Sequence, residues 1–134
     1  TTYREGACRA GAGLLASHAR MGTPGAAALQ QDCRNGNLLG HLPVIQGALF
    51  AALALEGPVA LAVAGYSFIA GLGGAAMRLG MAGAIEVQQT IASLTPRLAE
   101  LAKEPLPETA TSFSPLCDIA MMRHGTAGAG LFAN

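Results

Sequence analysis

Apolar positions recur along this chain at helical spacing, and no stretch alternates apolar and polar residues with β-branched enrichment. Ala and Leu dominate, and both favour helix. The pattern predicts an all-α fold: a compact helical bundle of about five to six helices, one domain over residues 1–134. The first helix spans 2–21, with Leu14, Leu15 and Ala19 on one face and Arg9 and Arg20 elsewhere. Gly22-Thr23-Pro24-Gly25 stops it and turns the chain. A short helix over 25–33 ends at Asn35-Gly36-Asn37, and Pro43 opens a helix over 43–55. Pro58 begins a long helix to about Arg78. Gly80 and Gly83 separate it from an amphipathic helix over 84–103. There Ile85, Ile91, Leu94, Leu98 and Leu101 are expected inside, and Glu86, Gln89, Arg97 and Glu100 outside. Residues 104–113 read as a loop, Ser114-Pro115 as the start of a final short helix to about His124, and 125–134 as a flexible C-terminal tail.

The run from Pro58 to Met77 carries no charge and is long enough to span a bilayer, which needs about 20 residues. Its small residues, Gly65, Ala70, Gly71 and Gly74, suit close helix packing in either a membrane or a bundle. It is rich in Ala and Gly rather than Leu, Ile and Phe, and flanking aromatic belts are missing. The favoured expectation is a central helix of a soluble bundle.

Composition sharpens this picture. Hydrophobic residues make up 51% of the chain and charged residues only 12%, against roughly 25% charged in an ordinary soluble domain. So little charge points either to a large face covered by a partner or to part of the chain in a membrane. Net charge is zero, which excludes the basic footprint of a general nucleic-acid binder. Three cysteines, Cys8, Cys33 and Cys117, form no C-x-x-C pair, so a disulfide framework is not expected and a reducing compartment is. The chain opens on Thr1 with no signal-peptide pattern, and truncation or processing is one expectation.

Motifs for catalysis are missing. His18, His41 and His124 lack the i, i+4 spacing of a helical metal site, and Cys33 with His41 across a Gly/Asn turn is a weak metal pair. No G-x-S-x-G, P-loop or H-E-x-x-H occurs. Gly71-Leu72-Gly73-Gly74 follows no strand and is no phosphate cradle. The expectation is a non-enzyme.

The C-terminal segment from Ser112 to His124 is the exception. Leu116, Ile119, Ala120 and Arg123 fall at i, i+3, i+4 and i+7, an apolar stripe closed by a cation where the helix macrodipole favours one. Beyond it Leu131-Phe132 is an apolar pair on a Gly/Ala-rich tether. Two readings stand: a helix packed on its own core, or a docking element that orders on a partner.

This segment resembles the C-terminus of the urease accessory protein UreF family, which tends to read S-x-x-P-L-x-D-I-A-S-M-R-H-E and then a tail ending R-L-F-x-S. Pro115-Leu116, Asp118-Ile119-Ala120, Met122-Arg123-His124 and Leu131-Phe132 match in order and spacing. Upstream, the stretch from His41 through Pro43 and Val44 to Gly47-Ala48 is similar to the family's H-x-P-V-V-x-G-A. Ala75-Ala76-Met77-Arg78-Leu79 is similar to its S-A-A-V-R-L, Gln88 to the second Gln of its Q-T-D-G-Q, and Gly11 with Leu14-Leu15 to its M-G-x-x-L-L.

The resemblance implies an all-helical cytoplasmic protein with a buried central helix. It implies an adaptor that forms homodimers and joins UreD (also called UreH) and the GTPase UreG to deliver nickel to apo-urease. It implies no cofactor in the adaptor itself, nickel being handled by the partner complex, and no nucleic-acid or membrane partner. Pro115, Asp118, Met122, Arg123, His124, Leu131 and Phe132 are then the partner-binding residues. Gly125, Gly128 and Gly130 stand where the family tail carries Glu, Tyr and Arg, Ala84 stands at the first Gln of Q-T-D-G-Q, and the family's N-terminal P-V-G-G-F-S-Y-S-x-G-L-E has no counterpart. The alternative expectation is therefore a repurposed stand-alone helical oligomer.

Overall fold

A computed structural model of the chain describes residues 2–124 apart from 106, 110 and 112, and no strand occurs among them. Six helices follow one another: α1 (Thr2–Arg20), α2 (Ala26–Arg34), α3 (Leu42–Ala52), α4 (Gly57–Arg78), α5 (Ala84–Leu101) and α6 (Pro115–His124). The architecture is all-α, as the apolar periodicity predicts. The expected flexible tail, with Leu131 and Phe132, lies outside the described residues.

Local chemistry sets the boundaries. After α1, His18 Nδ1 lies 2.9 Å from Thr23 Oγ1 and closes the turn into α2. Pro43 and Pro58 stand in the first turns of α3 and α4, where a missing N–H costs no intrahelical bond. At the start of α5 the Gly83 N–H donates to Glu86 Oε2 at 2.8 Å, the side-chain half of a capping box. α3 ends at Ala52, three residues before the end expected at 55, because Ala54 turns the chain with a φ of 54°.

The core lies in the first half. Leu15 of α1, Ala26 of α2, and Ile45 and Leu49 of α3 are buried together, with Leu14, Ala19, Leu29, Cys33 and Leu38 packed around them. Burying each of the three large side chains contributes about 2 kcal/mol. α1 lies so close to the segment before α3 that a Cβ on Gly11 would collide with the Gly40 carbonyl oxygen and lie 3.0 Å from the Leu42 amide nitrogen. Gly40 itself has a φ of 66°, a conformation that favours glycine.

α4 and α5 form an antiparallel hairpin packed just as closely. A Cβ on Gly65 would run into Leu98, and one on Gly73 into Val87. Val87, Ile91 and Ala102 are the buried apolar residues of this half. The hairpin touches the first three helices chiefly through a light contact of α4 with α3.

That arrangement corrects the expected core in two places. α4 has no buried residue, so it is not the buried central helix. Ile85, Leu94 and Leu101 are exposed at 75%, 41% and 44%, while Val87 and Ala102 are buried instead. The reason is geometric: two helices cover only one side of each other, and no third helix covers the outer faces of α4 and α5 among the described residues.

Candidate functional site

Two exposed apolar surfaces distinguish the molecule. The first is the α4–α5 hairpin. Its seam opens into a groove of about 480 Å³ lined by Val59, Ala62, Val63, Tyr66, Leu98 and Ala102, with Lys103 at one end. A second groove of about 460 Å³ is lined by Phe68, Ile69, Leu72, Val87, Ile91 and Leu94, with Glu86 at its edge. Phe68 is 69% exposed and Leu72 57%. Gly65 and Gly73 let the two helices approach, with the side chains of Leu98 and Val87 filling the space a Cβ would take. α4 is also long and apolar enough to cross a membrane, with a mean hydropathy of 1.7 over its most apolar window.

The second surface is α6. Pro115 is its first residue, and Asp118 lies in its first turn, where a carboxylate suits the positive end of the helix dipole. The Asp118 N–H donates to the Ser114 carbonyl at 3.1 Å. Leu116, Ile119 and Met122 are all exposed, Leu116 at 79% and Met122 at 75%. The reading in which this helix packs on its own core is not what the described residues show. Arg123 is exposed in the last turn. His124 ends the helix.

Electrostatics place the start of α6 near the start of α1. The Tyr3 phenol is raised above its ordinary range, first by partial desolvation, then by the charge of Asp118 and then by Cys117. Pro115, Asp118, Met122 and Arg123 are thus brought together on one short exposed helix, whereas Leu131 and Phe132 lie outside the described residues.

No group of three or more metal-ligating side chains occurs among the described residues. The weak Cys33–His41 pair takes a different form: Cys33 Sγ sits against Gly40, and His41 Nδ1 instead meets Cys8 Sγ at 3.6 Å. Sequence reading missed both this pair and the hairpin grooves. Cys8 and His41 are 33 residues apart, and no local spacing could have joined them.

The UreF family model matches residues 1–95, ending within α5 and short of α6. A urease accessory protein UreF from Trichodesmium erythraeum (strain IMS101) is 32% identical over 109 residues, covering 79% of this chain and 47% of the relative. The chain thus spans about half the length of that curated relative. No solved structure matches. With its family match running through α4 and into α5, the chain belongs to the UreF family of urease accessory proteins, a family of accessory rather than catalytic proteins.

Proposed function

We propose that this chain is an adaptor in urease maturation that holds other accessory proteins together while nickel, the cargo, reaches apo-urease. Its partners in this reading are a UreD/UreH-type protein and a UreG-type GTPase, and it acts in the cytoplasm as a homodimer with no cofactor of its own. The observation that carries the proposal is the exposure of Leu116, Ile119 and Met122 on α6 in a member of this family. Leu116, Ile119 and Met122 gain by leaving water only if a partner covers them. Leu131 and Phe132 extend the same contact as apolar anchors, Arg123 adds charge-assisted hydrogen bonds, and Pro115 and Asp118 hold the helix start.

Co-purification with a UreD-type protein, read by size exclusion with light scattering, tests the proposal. A stable joint peak is expected, and Leu116→Ser or Phe132→Ala weakens it at least tenfold without loss of helical content. No joint peak, or a peak indifferent to both substitutions, contradicts it.

The α4–α5 hairpin favours a second reading, a stand-alone helical oligomer without a urease role. Its exposed Val59, Val63, Phe68 and Leu72 suit self-association. The Ala/Gly content of α4 makes its insertion into a bilayer weak, so protein is the proposed cover rather than lipid. A defined self-associated species that ignores the UreD-type protein would select this reading.

A further inference from the structure

Cys8 and His41 form a pair that the adaptor reading does not use. Cys8 lies on α1 and His41 at the N-cap of α3, with Sγ and Nδ1 3.6 Å apart. Two features hold the pair in place. Gly11, one helical turn beyond Cys8, presses α1 directly onto the Gly40 carbonyl, which sets His41 over the thiol. The His41 side chain makes no capping hydrogen bond to α3, although its residue occupies the cap position, so the imidazole is directed to the thiol instead. Both residues are half-buried, open enough for a small reagent to reach.

We propose that Cys8 is a reactive thiol, activated by His41 as the proton acceptor, and that it takes low-molecular-weight disulfides. In the tautomer that carries its proton on Nε2, the His41 Nδ1 accepts the S–H. A thiolate is the attacking species in disulfide exchange, and an adjacent imidazole supplies it. The Cys8 proton passes to Nδ1, and the sulfur attacks one sulfur of the disulfide. The reagent's S–S bond breaks as the Cys8 mixed disulfide forms, and the departing thiolate takes up a proton. The reagent is the oxidant, and one of its two halves leaves as the reduced thiol. Cys33 provides a control: it is also half-buried, but its Sγ faces Gly40 rather than a base. Cys117 on exposed α6 provides another.

The test is the reaction of the full chain with 5,5′-dithiobis(2-nitrobenzoic acid), followed by thiolate release and by mass spectrometry that resolves the three cysteines. Cys8 is expected to react at least tenfold faster than Cys33. His41→Gln, which keeps a polar side chain but removes the base, is expected to slow Cys8 at least tenfold while Cys117 keeps its rate. Equal rates at Cys8 and Cys33 in the wild-type chain would overturn the proposal, and so would a Cys8 rate unchanged by His41→Gln. The wild-type comparison decides the matter even if the variant does not fold.

Discussion

The helices α1–α3 and the hairpin α4–α5 draw on the same residues, chiefly Ala, Leu and Gly, and come to opposite ends. In the first, Leu15, Ile45 and Leu49 are nearly inaccessible to water. In the second, α4 buries nothing, and Val59, Phe68 and Leu72 face outward. Hydrophobicity does not separate them, since α4 has the more apolar sequence than α1. What separates them is the number of neighbours. Three helices around a centre enclose a core, whereas two helices leave each other's outer faces open. In the proposed reading, apolar surface left open in this way is available to a protein partner.

The largest test of this contrast compares truncations across the two halves. Leu49→Ala is expected to lower stability by about 3 kcal/mol, through lost transfer energy and a cavity. Phe68→Ala on the hairpin should change the unfolding of the isolated chain by about 0.5 kcal/mol or less. Urea midpoints compare them; a Phe68→Ala loss equal to that of Leu49→Ala would mean that the hairpin has its own covered core.

Close backbone approaches give a smaller contrast. Gly11→Ala places a methyl against the Gly40 carbonyl, which is backbone and cannot rotate away, and about 2 kcal/mol should be lost. Gly65→Ala meets only the end of the Leu98 side chain, which can turn, and Ala gains about 1 kcal/mol of helix propensity over Gly. The two should nearly cancel at Gly65, and thermal unfolding reads both variants.

The smallest effect concerns where α6 sits. Asp118→Asn should lower the Tyr3 titration toward its ordinary range, with the part due to desolvation remaining. Ultraviolet titration in a Tyr66→Phe background isolates Tyr3. The sign of the linkage is fixed: a phenol raised in the folded chain favours folding below its unfolded value near 10, and the advantage fades as pH rises past it. A Tyr3 titration indifferent to Asp118→Asn would separate α6 from the start of α1.

Helix positions were legible because glycine and proline punctuate this chain at Gly22 to Gly25, Pro43, Pro58, Gly80 to Gly83 and Pro115. The end of α3 was not, because Ala54 takes a positive φ that alanine does not announce. Periodicity also placed the apolar side of α5 without saying whether anything covers it. Ile85, Leu94 and Leu101 fall on the apolar pattern and lie exposed. A stripe shows which residues would gain by leaving water; only the arrangement of helices shows which of them have done so. The α6 stripe was legible as residues, and its exposure only as structure. The Cys8–His41 pair spans 33 residues and depends on a tertiary approach at Gly11, so no motif could disclose it.

The central claim is that a partner protein covers α6, while α1–α3 is complete by itself. Amide hydrogen exchange of the chain, alone at low concentration and then with a UreD-type protein, tests it most directly. The account predicts added protection over 115–124 and none within the α1–α3 core. Added protection confined to α1–α3, with α6 unchanged, would contradict it.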